Sequence, residues 1–431
     1  MKDQQYFRDL TVEVNGGSGC LFQVNSSDYT YVLTAKHNIE DEDEDEVTIT
    51  KFEMLEDGTI TEKNIDVIGT PYFHKDDNKD AAIIKVGKQI DIPHLIKWNQ
   101  SQPNNSDKYL CGYPGVRQGN DRFRMNSIQP LNLQEYGYVE GQLTPMVTQK
   151  EVSGQSGGGV LSFYNGAHFL LGIQKGMAAD DEAESLSRVS YMPVKFFEEI
   201  VTEHSDELVE LIPPFISNFS DLIDNVYNLN SFVVKKELVK NELQEVAKEI
   251  SLGLTPKEII KRFGGKMLVN GEPINSIYQK CIWIGMLELF TILKLQELSE
   301  TDITIDHIPE ISKKSIIIYG SVENTWEELI SSIYQSDLTD LNCDGNIFVV
   351  TSNDQNPVVT ELEPEIIESI ASVPPKRVKV NRASVREPFK DIRLRHIYDI
   401  QKKLTDKRRF FIEANVNNIE DILKNETKDI I

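Results

Sequence analysis

The sequence predicts a multidomain chain. An all-β N-terminal domain, barrel or sandwich, precedes a mainly α-helical C-terminal domain that holds a small βαβ unit. Three observations carry this expectation. Short apolar runs separated by turn residues fill residues 5 to about 193. Apolar residues at helical spacing replace them from about residue 205. A length of 431 residues also exceeds what one hydrophobic core ordinarily serves, and fits two or three domains.

The predicted strands are LTVEV, GCLFQV, YTYVLT, EVTITKF, AAIIKV, KYLCGY, GVLSF and HFLLGI, with Gly, Asn, Asp or Pro between them. KFFEEIVTEH has helical spacing and closes this first domain, residues 1–204. In the second domain, residues 205–431, LTPKEIIKRFGG predicts a helix. Thr255 is its N-cap, Pro256 stands in its first turn, Glu258 completes a capping box and Gly264 is the stop. SIYQKCIWIGMLELFTILKLQEL reads as one long buried helix. KSIIIYG, NTWEELISSIYQS and NIFVVTS then give strand, helix and strand, placing the βαβ unit within residues 275–352. Two prolines in ASVPPKR break the chain, and the remaining 55 residues read as helical and locally basic.

Composition is that of an ordinary globular protein, with 39% hydrophobic and 26% charged residues. The net charge of −24 is shared, with −14 on residues 1–204 and −10 on the rest. That balance disfavours direct nucleic-acid contact or attraction to an anionic membrane. Residues 376–409 run against it, with 13 Lys or Arg against four Asp or Glu. Such a segment commonly neutralises the acidic remainder of its own chain; an adaptor docking on nucleic acid is the rival reading. No signal segment opens the chain, and the longest apolar run is too short to span a bilayer and carries Glu288. Cys20, Cys111, Cys281 and Cys343 lie far apart, which fits a reducing compartment, so a cytoplasmic protein is expected. The histidines outside the candidate site show no ligand spacing, so neither a metal nor another cofactor is expected. The acidic run EDEDEDE, residues 40–46, lacks the glycine and spaced ligands of a calcium loop and reads as a solvated loop.

Chemistry concentrates in the β-rich half, in a fixed order. YVLTAKHNI ends a strand in small residues and delivers His37 to its tip. KDAAIIKV puts Asp80 at the mouth of an apolar strand, although Asp76 and Asp77 share its loop and compete for its role. Ser156 follows within GQSGGG. A serine hydroxyl needs a base within hydrogen-bond reach, and that base needs a carboxylate to hold its tautomer. The tetrahedral oxyanion needs amide donors, which glycines let the backbone turn inward.

GSGCLF, YVLTAKHN, DAAIIKV and GQSGGG, in that order, resemble the trypsin-like serine peptidases over residues 10–203. The resemblance implies a chymotrypsin-like double barrel, with His37 as general base, Asp80 as orienting carboxylate and Ser156 as nucleophile. It implies an oxyanion hole made by the amides of Gly154 and Ser156. Lys150, six residues before the serine, would either floor the substrate pocket and favour an acidic side chain there, or turn to solvent beside Glu151. Ile173, Gln174 and Lys175 would lie beside the bound peptide, with Gly172–Gly176 offering a strand edge. Gln155 stands where many secreted members carry the Asp of a zymogen ion pair, so control by that device is not expected.

QKCIWIGMLELFTIL, KSIIIYG and GNIFVVTS resemble the C-terminal domain of bacterial ABC-three-component defence systems over residues 275–352. That resemblance implies an effector working with a middle component and an ATPase sensor. The expected function is thus an intracellular serine endopeptidase acting on protein or peptide substrates and gated by a regulatory partner. A catalytically silent protease-like binding module is the alternative.

Overall fold

Each apolar run of the N-terminal half lies in a strand of the computed structural model, which describes residues 2–40, 47–55, 57–98, 106–178, 186–296, 302–352, 356–363, 379–380 and 391–431. The acidic run's residues 41–46 and most of the basic stretch before residue 391 lie outside the described residues. The chain divides into two units, Met1–Pro214 and Phe215–Ile431.

In the first unit a helix, α1 (Lys2–Asp9), leads into one antiparallel sheet. Its strands are β1 (Thr11–Val14), β2 (Gly17–Phe22), β3 (Tyr29–Ala35), β4 (Ile49–Met54), β5 (Ile60–Asn64), β6 (Tyr72–Phe73) and β7 (Ala81–Gly87), ordered β5-β4-β1-β2-β3-β7-β6. The runs in β3 and β7 are nearly continuous in apolar character because both faces of the sheet are covered. Val32, Ala82, Ile84 and Val86 enter one core with Val12, Val14 and Leu21. Their alternates Tyr31, Leu33, Ala81 and Ile83 enter a second core shared with the other sheet.

That other sheet contains β8 (Leu95–Lys97), β9 (Lys108–Gly112), β10 (Arg124–Leu133), β11 (Val139–Thr144), β12 (Gly159–Tyr164), β13 (Ala167–Met177) and β14 (Arg188–Pro193). Their order is β12-β9-β10-β11-β14-β13, and pairing of β12 with β13 closes a six-stranded barrel with β8 added outside. A one-turn helix, α2 (Gln149–Val152), precedes the glycine-rich loop. The closing helix α3 (Val194–Glu203) buries Phe196, Phe197, Ile200 and Val201 in the shared core. In the first sheet, the chain after β5 returns to β7 through the Val67–Val86 bridge, so the N-terminal domain is the all-β double barrel expected.

The second unit is mainly helical around a small sheet. Strand Ser315–Tyr319 pairs parallel with Asn346–Val350, with helix Ile330–Tyr334 between them, giving the expected βαβ unit. Helix Lys280–Gln296 is buried from Ile282 to Leu295, interrupted only at Ile284, which is partly exposed. Thr255 and Glu258 form the capping box of helix Pro256–Phe263. One expectation is corrected. The last 55 residues are not all helical, because Arg393–His396 forms a third parallel strand beside Asn346–Val350. A fully buried Arg395 sits at its centre, and Asp399 pairs with it, which makes burial of a charged strand residue possible. Part of the basic stretch is thus neutralised within the chain, as in the Arg395–Asp399, Lys403–Glu361 and Lys407–Asp429 pairs.

Candidate active site

The end of β3, the start of β7 and the loop before β12 converge on one cleft. β3 and β7 pair antiparallel with Ala35 opposite Ala81, so their ends bring His37 and Asp80 together. The pairing carries on past the strands, since Lys36 N donates to Asp80 O at 3.0 Å. His37 N donates to Asp80 Oδ1 at 2.9 Å, and His37 Nδ1 lies 2.6 Å from Asp80 Oδ2. Two contacts from one carboxylate fix both the backbone and the ring of His37. Asp76 instead accepts from Asn78, and Asp77 pairs with Lys36. Of the three carboxylates in the loop, Asp80 meets the imidazole.

Ser156 Oγ lies 2.6 Å from His37 Nε2 and 2.8 Å from the carbonyl oxygen of Lys175. When His37 carries one proton, on Nδ1 and shared with Asp80, Nε2 is the acceptor for the serine hydroxyl. When His37 carries both, Nε2–H donates to Oγ and the serine proton turns to Lys175 O. The second arrangement parks the hydroxyl away from the base, so the neutral imidazole is the form suited to attack.

Tight backbone packing sets the position of Ser156. Its carbonyl accepts from Ser18 N at 2.7 Å and from Asn38 Nδ2 at 2.9 Å. Gly157 has φ +86°, and a Cβ there would stand 1.9 Å from Ser18 O, so only glycine fits. Gly154 has φ +89° and completes a turn closed by Gln155 N to Val152 O at 2.9 Å. In that turn Ser153 O accepts from Gly115 N at 2.9 Å. A trans peptide points its N–H opposite its carbonyl, so the Gly154 N–H faces away from Gly115, to the cleft side. The amides of Gly154 and Ser156 have no hydrogen-bond partner among the described residues. Both residues line the cleft.

The cleft measures about 630 Å³. Its lining around Ser156 includes Gly17, Asn38, Gln149, Val152, Gln174 and Lys175. Two expected substrate contacts are corrected. Lys150 is exposed and does not line the cleft. The capping box of Thr148 and Glu151 winds this segment into α2, so Gln149 and Val152, three apart, share the cleft face and Lys150 turns outward. Ile173 is fully buried in the shared core, because neighbours on a strand point to opposite faces. Gln174 and Lys175 do line the cleft. Gln174 is fully buried, and both atoms of its amide lack a hydrogen-bond partner among the described residues. β13 pairs with β12 only up to Ile173 and with β14 on its other side, so the edge left open begins at Lys175, later than expected.

One residue absent from the sequence reading, Tyr138, supports the site. Tyr138 on the second barrel accepts from Asp80 N at 2.9 Å and donates to Asn78 O at 2.7 Å. Lys175 Nζ stands 4.7 Å from the centre of the Tyr138 ring. Gln155 is buried and pairs with no charge among the described residues; its Nε2 donates to Glu151 O at 3.0 Å. Among the described residues no three His, Cys, Asp or Glu side chains gather as a metal site, and no helix is long and apolar enough to cross a membrane.

No curated protein matches the chain. Among solved structures it is similar to the inactive form of the Rv3671c protease, at 17% identity and a TM-score of 0.32, covering 46% of this chain and 89% of that one. The Ser343Ala mutant of Rv3671c from M. tuberculosis H37Rv, also an inactive form, is similar at the same identity and TM-score, covering 47% and 91%. A family model for C-terminal domain 4 of the ABC-three component (ABC-3C) systems matches residues 191–406, which is half of the chain. The match opens within β14 and takes in α3, so it begins inside the barrel unit. On that extent the chain belongs to the family defined by C-terminal domain 4 of the ABC-three component systems.

Proposed function

We propose that the chain is a serine endopeptidase, the effector of an ABC-three-component defence system, acting on protein substrates. The observation that carries this reading is the relay of Ser156, His37 and Asp80, with 2.6 Å at each step, beside two partner-free amides. Ser156 Oγ attacks the scissile carbonyl while His37 Nε2 takes its proton. The Gly154 and Ser156 amides hold the oxyanion, and Asp80 stabilises the imidazolium. His37 then protonates the leaving amine, and water hydrolyses the acyl-enzyme by the same base. The open edge from Lys175 would pair with the peptide backbone.

Family membership supports control by a partner component. The reacting groups already stand at hydrogen-bond distance, so a partner would govern access or substrate delivery rather than assemble the triad. Cleavage of a protein panel by the full chain, alone and with the products of neighbouring genes, tests the reading. Ser156→Ala should lower turnover by about 10⁴-fold or more. Cleavage that persists in Ser156→Ala would refute it.

A further inference from the structure

Asp80 sits at the end of the loop between β6 and β7, and that loop is held from α3. Glu199 Oε2 accepts from Lys79 Nζ at 2.5 Å and meets His74 Nε2 at 2.9 Å. His74 is buried, and its Nδ1 accepts from Asp76 N at 3.0 Å. His74 N also donates to Ala81 O at 3.0 Å, so Glu199 grips both ends of the loop, at residues 74 and 79. Phe196, one turn earlier on α3, packs against Tyr138 with ring centres 5.5 Å apart, and Tyr138 is the residue that binds Asp80 N. Lys79 Nζ also stands 4.7 Å from the centre of the Phe196 ring.

The charges favour this grip. Burial alone would raise the pKa of Glu199, but Lys79 and His74 outweigh it and hold the carboxyl below its usual range. Lys195, one turn away at 3.9 Å, adds a second cationic neighbour beside Lys79. Charge-assisted contacts of this kind are roughly twice as strong as neutral ones and hold a loop in one place. A carboxylate must be placed to within about 0.5 Å to orient a catalytic imidazole.

We propose that Glu199 is a positioning residue for the reaction: through Lys79 and His74 it holds Asp80 against His37. The proposal rests on the peptidase reading above. It also gives α3, which lies within the family-matched residues 191–406, a part in the active site.

The test is a mutant cycle on the full chain, with kcat and KM measured on a substrate that wild type cleaves and Ser156→Ala does not. Glu199→Ala should lower kcat by about tenfold to a hundredfold, a part of the roughly 10⁴-fold that loss of the carboxylate itself costs, and leave KM within about twofold. Glu199→Gln, which keeps an acceptor for Lys79, should fall between. In an Asp80→Asn background, Glu199→Ala should cost less than about twofold, because its effect passes through Asp80. Equal losses in both backgrounds, or no loss in the first, would overturn the proposal while leaving the peptidase reading intact. If Glu199→Ala does not fold, Glu199→Gln and Lys79→Met carry the same cycle. A wild type without Ser156-dependent turnover overturns the peptidase reading itself, and this proposal with it.

Discussion

Each unit of the molecule holds a grouping of histidine, aspartate and hydroxyl, and the two are put to opposite use. In the barrel unit, Asp80 meets the His37 ring, and the side chain of His37 is 43% exposed at the edge of a cleft. In the second unit, Asp399 meets Arg395 and Thr360 Oγ1, while buried His396 accepts from Tyr398 N and reaches Thr351. Burial pushes the His396 pKa down to about 4, so that imidazole stays neutral and serves packing. The residue types are shared. Access to solvent and the identity of the carboxylate's partner distinguish the two groupings.

Removing one aspartate from each grouping should therefore give opposite phenotypes. Asp80→Asn should lower turnover by about 10⁴-fold with little change in the unfolding midpoint. Asp399→Asn should leave turnover per active site unchanged but destabilise the second unit by about 3–5 kcal/mol, because it strands a buried guanidinium. Activity with active-site titration, set beside denaturant unfolding, reads both. Similar phenotypes for the two variants would break the comparison.

The second unit should also show a cancelled pH dependence. Burial raises the Glu288 pKa to about 7, with Tyr227 N and Gln401 donating to its carboxylate. Its folded pKa lies above its ordinary value of 4.5, so its contribution to stability is full below pH 4.5 and is lost as pH rises to about 7. His396 works the other way. Its contribution is full above its ordinary value of 6.5 and is lost as pH falls to about 4. Between pH 4.5 and 6.5 these two slopes oppose each other. Glu288→Gln should expose the histidine slope, with stability falling by about 2–3 kcal/mol from pH 6.5 to 4.5 in chemical unfolding. An unchanged profile would contradict the burial argument.

The smallest effect concerns Gln174. Replacing a buried, unpaired amide by an apolar side chain of similar shape, Gln174→Met, should raise stability by about 1–2 kcal/mol in the absence of substrate. A loss of stability would show that the amide is paired in solution.

What the sequence made legible was whatever carries a signature within a few residues. His37 at a strand tip, Asp80 opening an apolar strand and Ser156 among glycines each announce themselves locally. Lys150 was misplaced because counting back from the serine ignores helical phase, which the Thr148–Glu151 box sets. Strand Arg393–His396 was hidden because Arg395 needs Asp399 to be buried, and RLRH has no apolar run. Glu199 and Tyr138 were out of reach for another reason. Glu199 meets Lys79 across 120 residues, and Tyr138 meets Asp80 across 58, so only the folded barrel brings them together.

The most direct test of the account is labelling of the chain by a fluorophosphonate probe, with the modified residue mapped by mass spectrometry. The aligned relay and free amides predict rapid, stoichiometric labelling at Ser156, slowed severely in His37→Ala and absent in Ser156→Ala. Labelling elsewhere, or none in the wild type while it remains folded, would contradict the claim that this cleft is a working serine-peptidase site.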